Sequence, residues 1–111
     1  MNTVVALASE QFPLPAVSLT EVLATSDVPA GVVNVLTGNQ AELAPVAAAH
    51  MDVNAIDLAG AGELADDLAV AATDNLKRVV RLADGDWSRA PSPQRMLAFL
   101  ETKTVWHPAG T

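Results

Sequence analysis

The sequence contains no cysteine, and this absence removes several kinds of chemistry. Disulfide bonds, metal sites built on thiolates and cysteine nucleophiles all need the missing side chain. The chain also lacks an apolar run of the roughly 20 residues that a membrane-spanning helix requires. Its start, Met-Asn-Thr-Val, has no basic region of the kind found in secretion signals. We therefore expect a cytoplasmic protein that has no membrane partner and no metal site.

Lysine and arginine are missing from residues 1–76 of this 111-residue chain. That part holds ten of the 13 acidic residues, whereas residues 77–111 hold all six basic residues and three acidic ones. The first part is therefore strongly acidic, and the second part carries a small positive charge. Because an acidic surface repels phosphate groups, nucleic acid is not expected as a partner. Most of these carboxylates are expected to serve solubility.

Four short stretches rich in β-branched residues alternate with segments of helical spacing. This alternation is typical of parallel strands joined by crossover helices. We predict a partial nucleotide-binding α/β domain over residues 1–86, with a Rossmann-like parallel sheet of about four strands. Residues 87–111 are predicted to form a linker and a C-terminal tail. The predicted strands are residues 3–8, 32–36, 55–59, 78–82 and, in the tail, 102–106; the predicted helices are residues 13–25, 40–50, 62–75 and 94–100.

A glycine-rich turn follows the third predicted strand. Residues 60–65 read Gly-Ala-Gly-Glu-Leu-Ala and fit the spacing Gly-x-Gly-x-x-Gly/Ala of dinucleotide-binding turns. Asp84 lies about 20 residues further on, where a ribose-binding acid is expected. The same small residues also make an ordinary strand-to-helix turn, whose helix Glu63, Asp66 and Asp67 would stabilise without a bound anion. The motif alone leaves both interpretations open.

Isolated polar side chains give weaker signals. His50 lies at the end of a predicted helix, where a capping or surface role is expected. Asp57, near a strand end, would suit a phosphoacceptor domain, but that site needs an acidic pair after the first strand, where only Glu10 lies. Trp106, in a predicted strand, is expected to pack within the domain or across a subunit contact. Trp87, in a predicted loop, could also pack within the domain or across a subunit contact.

Several longer segments share order and spacing with one enzyme family. Residues 2–14 resemble its Asn-Thr-Val-Val-Leu-Lys-Pro-Ser-Glu-Gln-Thr-Pro-Leu segment, and residues 29–38 resemble its Pro-x-Gly-Val-Val-Asn-Val-Val-Thr-Gly. Residues 60–65 fall where it has Gly-Ser-Thr-Glu-Val-Gly, and residues 99–106 are similar to its C-terminal Thr-Glu-x-Lys-Thr-Val-Trp. The family is the NAD(P)-dependent aldehyde dehydrogenases. The resemblance implies a truncated, internally deleted member: part of the cofactor-binding domain plus the C-terminal tail. Because that tail takes part in subunit contacts in the family, the resemblance also implies that residues 87–111 form an assembly-type tail.

The catalytic residues of that family have no counterpart in this chain. The nucleophilic cysteine is absent, and Leu82 stands where the resemblance places the general-base glutamate. The oxyanion-stabilising asparagine belongs to a segment that would precede Met1. Since the reaction needs a nucleophile, a base and an oxyanion donor together, no catalytic residue is assigned and no activity of its own is expected.

The cofactor site implied by the resemblance is incomplete. Glu10 matches a glutamate that holds the adenosine ribose, whereas Leu7 replaces the partner lysine. Gly60 is kept at the pyrophosphate turn, Leu64 stands for a valine near the adenine, and Ala61 lacks the family's serine hydroxyl. A charge-assisted hydrogen bond contributes about 1.5–3 kcal/mol, so NAD or NADP binding is expected to be weak or lost.

Two functions remain open at this point. The favoured one is an aldehyde dehydrogenase-like fragment without catalytic activity, which acts in assembly or persists as a remnant. Its partner would be a second copy of the chain or a full-length aldehyde dehydrogenase-like protein. The alternative is an NAD(P)-binding component of an aldehyde-oxidising oxidoreductase complex, which would use Glu10, Gly60 and the following turn.

Overall fold

The computed structural model describes residues 2–82, 88, 90 and 92–108 of the chain. Within these residues, strands and helices alternate over the first 80 positions, as the sequence predicts, and one short helix follows. The strands are β1 (Val4–Leu7), β2 (Val33–Leu36), β3 (Ala55–Asp57) and β4 (Arg78–Val80). The helices are α1 (Leu14–Ala24), α2 (Gln40–Ala49), α3 (Ala65–Ala71) and α4 (Pro93–Leu97), and α3 is extended by 3₁₀ turns at Gly62–Leu64 and Ala72–Asn75.

The strands pair in two parallel couples. β1 pairs with β2 in the register Val4 to Val33, and β3 pairs with β4 in the register Ala55 to Arg78. Within the described ranges, no backbone hydrogen-bond ladder joins the β1–β2 pair to the β3–β4 pair. The fold is therefore mixed α/β with two small parallel sheets. The predicted continuous sheet is therefore not formed. Short apolar runs in the sequence predict strands well, but they do not determine which strands pair with each other.

The core lies between the β3–β4 sheet and helices α2 and α3. Its buried members are Ala44 and Ala48 from α2, Leu58 after β3, and Leu68 from α3. Leu68 is 3% exposed and is the buried side chain that α3 contributes to the core. Alanine dominates this contact, so the helices approach closely but remove little apolar surface from water.

Helix α1 takes no part in that core. All of its residues are described and none is buried, with Leu14 73% and Val22 62% exposed. Its half-buried residues are Ala16, Thr20 and Leu23, and the helix contacts β2. No described helix has the length and apolar character needed to cross a membrane.

The C-terminal segment packs back on the β3–β4 sheet. Residues of α4 and the turn after it contact Asp57 and Arg78, on the face opposite α3. Residues 101–108 then continue without regular secondary structure, so the predicted strand at 102–106 is wrong. A strand exists only where a neighbouring strand accepts its backbone hydrogen bonds, and this segment has none within the described chain. The division at residue 86 stays a prediction, because residues 83–87 lie outside the described ranges.

Candidate functional site

An open cleft of about 490 Å³ lies at the carboxyl ends of β1, β2 and β3. Ligands of open α/β sheets bind at this edge, where loops from neighbouring parallel strands meet. Glu10 comes from the loop after β1, whereas Gly60 and Leu64 come from the turn after β3, and all three line the cleft. The structure thus brings together the three residues predicted to bind a cofactor. Their binding role stays a prediction.

The Glu10 carboxylate already has a partner within the fold. Its Oε1 accepts the backbone N–H of Gln40, the first residue of α2. Beside it, the Asn39 side chain accepts the N–H of Ala41 at 2.8 Å. The first N–H groups of a helix have no partner inside the helix, so these two oxygens cap α2 together. Sequence reasoning treated Glu10 as a ligand-binding residue and did not predict this structural role.

The glycine turn has a conformational explanation. Gly60 has φ of +80° and Gly62 has φ of +55°, values that favour glycine. The Ala61 N–H donates to the Leu58 carbonyl oxygen at 3.1 Å and closes the turn. Leu64 packs against the core cluster under α3. Both Gly60 and Leu64 therefore have structural roles that need no bound nucleotide.

The charge of the cleft is negative. Glu10 and Glu63 contribute carboxylates, and none of the described residues that line it is lysine or arginine. Arg81 reaches the start of α3, where its Nη1 lies 2.8 Å from Asp66 Oδ1 and its Nη2 donates to the Ala65 carbonyl oxygen at 2.7 Å. This guanidinium is thus engaged with the start of α3. An anionic ligand in the cleft would meet uncompensated carboxylates.

Asp57 has a partner that the sequence did not reveal. Its Oδ2 lies 3.3 Å from Arg95 Nε of α4, and its Oδ1 accepts the Ala59 N–H at 2.9 Å. The ion pair is partly exposed, at 32% for Asp57 and 21% for Arg95. The carboxylate therefore helps to attach α4 to the sheet, which does not favour a phosphoacceptor role. No local pattern links two residues so far apart in sequence.

Of the remaining predicted positions, two lie within the described residues and two lie outside them. His50 ends α2 on the surface, and its ring Nδ1 accepts the Asp52 N–H at 3.2 Å, in agreement with a surface role. Trp106 is 89% exposed, so it is not buried within the domain, which was one of its two predicted environments. Asp84 and Trp87 lie outside the described residues.

Comparisons with known proteins give one consistent family. The model of the aldehyde dehydrogenase family matches residues 1–86. The chain is 40% identical over 79 residues to a mitochondrial aldehyde dehydrogenase of Leishmania tarentolae, an alignment that covers 70% of this chain and 16% of the relative. It is 38% identical over 77 residues to (Z)-2-((N-methylformamido)methylene)-5-hydroxybutyrolactone dehydrogenase of Acinetobacter baylyi, with 69% and 16% covered.

A longer alignment extends into the C-terminal segment. An aldehyde dehydrogenase-like protein of Schizosaccharomyces pombe is 30% identical over 108 residues, which cover 95% of this chain and 20% of the relative. No solved structure matches the chain significantly. The chain thus spans between about a sixth and a fifth of the length of these relatives.

Proposed function

The chain belongs to the aldehyde dehydrogenase family as a short fragment, and we propose that it has no catalytic activity of its own and acts in assembly. The observation that carries the proposal is the pair of parallel two-stranded sheets, whose outer edges pair with no other strand in the described ranges, beside an exposed tail. We also propose that the chain is located in the cytoplasm. It rests on three arguments, which concern the reaction, the cofactor and the exposed surface.

The cysteine that serves as nucleophile in the family's reaction is missing from these 111 residues. Attack on an aldehyde carbonyl through a thiol needs a cysteine, and Leu82 cannot replace a general base. Among the described residues that line the cleft, the hydroxyl is that of Ser9, and its Oγ accepts the Phe12 N–H at 3.2 Å. Turnover of an aldehyde by this chain alone is therefore not expected.

The cofactor typical of the family is NAD(P), and the cleft does not fit it. The carboxylate expected to hold the ribose accepts the Gln40 N–H instead. Two carboxylates, Glu10 and Glu63, face the space that a pyrophosphate would need, without a lysine or arginine among the described lining residues. This disagreement supports the proposal that the cleft no longer binds a dinucleotide. The alternative function, an NAD(P)-binding component of a complex, is therefore not favoured.

Assembly is supported by the apolar surface that the single chain leaves in water. β1 exposes Val4 at 49% and Val5 at 56%, and the tail exposes Val105 at 68% and Trp106 at 89%. Open strand edges and contiguous apolar surface are typical of interaction sites. We propose self-association, because both the unpaired edges and the exposed tail belong to this chain.

Sedimentation equilibrium of the purified chain tests the assembly role. We expect a mass of at least twice 11.5 kDa at micromolar concentration. A mass of 11.5 kDa up to the millimolar range would contradict self-association. In parallel, absorbance of NADH should stay constant when NAD and short aldehydes are added. Cofactor reduction proportional to chain concentration would contradict the absence of catalysis.

A further inference from the structure

The serine that precedes α4 has a hydroxyl that the fold does not use. Ser92 is exposed, and its backbone is extended, with φ of −71° and ψ of 147°. It occupies the capping position of α4, but its side chain makes no capping hydrogen bond. By contrast, the hydroxyls of Thr20, Ser26 and Thr73 donate to backbone carbonyl oxygens at 2.6–2.7 Å. A reaction at Ser92 Oγ would therefore break no hydrogen bond of the described chain.

The sequence around this serine fits a kinase substrate. Residues 92–95 read Ser-Pro-Gln-Arg, a serine followed directly by proline and, two residues later, by a basic residue. One class of protein kinases selects this pattern in extended, accessible segments. Pro93 restricts Ser92 to extended backbone, and Ser92, Pro93 and Gln94 are all exposed. No serine or threonine of residues 1–76 has a lysine or arginine within three positions in sequence.

We propose that Ser92 is a phosphorylation site, at which a serine/threonine kinase uses ATP to control the attachment of α4. The step forms a bond between Ser92 Oγ and the γ-phosphorus of ATP, and it breaks the bond from this phosphorus to the oxygen that bridges to the β-phosphorus. ADP leaves with that oxygen, and the hydroxyl proton passes to the catalytic aspartate of the kinase. The product carries a phosphate with a charge of about −1.5 to −2 at neutral pH.

Arg95 is the cation that this phosphate would meet. Residues three apart at the start of a helix are neighbours, so a phosphate on Ser92 lies within reach of the Arg95 guanidinium. In the unmodified chain, Arg95 Nε lies 3.3 Å from Asp57 Oδ2, and this pair is partly exposed. A phosphate pairs with a guanidinium through two parallel, charge-assisted hydrogen bonds and carries more charge than a carboxylate. Phosphorylation should therefore draw Arg95 away from Asp57.

Loss of the Asp57 contact would release the first turn of α4. Asp57 would keep a partner, because its Oδ1 accepts the Ala59 N–H at 2.9 Å. The turn after α4 would stay attached, since Arg78 Nη1 donates to the Leu100 carbonyl oxygen at 3.2 Å. A helix of five residues is not stable away from the sheet. Phosphorylation should thus unwind α4 and leave the remaining fold unchanged.

Incubation of the full chain with radiolabelled ATP and a purified kinase that selects serine-proline sites tests the acceptor. We expect stoichiometric labelling that is abolished in Ser92→Ala and slowed several-fold in Pro93→Ala. Ser88→Ala is the matched control, because it removes a neighbouring serine, and it should be labelled like the unmodified chain. An unlabelled unmodified chain, or label that persists in Ser92→Ala, would overturn the assignment of Ser92.

Hydrogen exchange of the phosphorylated chain tests the effect on α4. We expect exchange at residues 95–98 to rise several-fold and exchange in β3 and α3 to stay unchanged. Phosphoserine placed at position 92 during synthesis gives the same modification in Arg95→Ala, where no further rise is expected. Unchanged or slower exchange at residues 95–98 would overturn the control of α4. An equal rise with and without Arg95 would overturn the transfer of its guanidinium to the phosphate.

Discussion

At the scale of single residues, Glu10 has a structural partner at a position that the family resemblance assigns to ligand binding. The resemblance to aldehyde dehydrogenases identifies it as a ribose-binding residue, but its carboxylate accepts the Gln40 N–H at the start of α2. A negative group at a helix N-terminus satisfies an unpaired N–H and interacts favourably with the helix dipole. Sequence patterns predicted the position of this residue in the cleft, but they did not predict its partner. The partner depends on how closely the loop after β1 approaches α2.

Replacement of this carboxylate should lower stability. We expect Glu10→Ala to reduce the free energy of unfolding by about 1 kcal/mol, the typical loss for a helix cap. Glu10→Gln keeps an oxygen acceptor and loses only the charge, so its effect should be smaller, about 0.5 kcal/mol. Urea unfolding followed by circular dichroism measures both. Equal stability of Glu10→Ala and the unmodified chain would mean that Asn39 alone caps α2.

At the scale of elements, α2 contains a helix-breaking residue. Pro45 lies inside the helix and has no N–H for the carbonyl oxygen of Ala41. We expect Pro45→Ala to raise the free energy of unfolding by about 2 kcal/mol, since interior proline costs about 3 kcal/mol and part of this is offset by the freer unfolded chain. Thermal unfolding measures the change. A lower melting temperature would indicate that the proline ring itself packs in the fold.

The attachment of α4 gives a second prediction at this scale. Helix α4 has five residues, too few to be stable alone, so contacts such as Arg95 to Asp57 must hold it. Arg95→Ala should increase hydrogen exchange at residues 92–100 several-fold and lower stability by about 1 kcal/mol, since the pair is partly exposed. Arg81→Ala, which breaks a different ion pair, should leave exchange at these residues unchanged. Equal increases in both variants would contradict a local role for Arg95.

Local elements were predictable from the sequence because their signals are local. The predicted helix at residues 40–50 forms α2, and the β-branched run at Val33–Leu36 forms β2. The split into two sheets and the unpaired tail were not predictable in this way. Strand pairing depends on which neighbour is present, and the Thr102 to Trp106 pattern predicts a strand without naming its partner.

At the scale of the whole molecule, the chain is a family segment whose core is small. Seven buried apolar residues are found in the described ranges, four of them alanine, while many large apolar side chains stay in water. A domain of about 100 residues normally buries about two-thirds of its surface on folding, and burial of apolar area is the main source of its stability. Association of two copies would cover part of the exposed surface. We therefore propose that a family fold segment, a cleft that no longer binds a dinucleotide and exposed edges that favour assembly occur together in this chain.

Isothermal titration of the purified chain with NAD and with NADP tests this account most directly, with Glu10→Gln as the control. We predict no binding heat up to millimolar ligand for either chain, because the cleft offers carboxylates and no described lysine or arginine to a pyrophosphate. Micromolar binding that is lost in Glu10→Gln would contradict the account. It would show that Glu10 leaves the α2 N-terminus to hold a ribose, as the family resemblance implies.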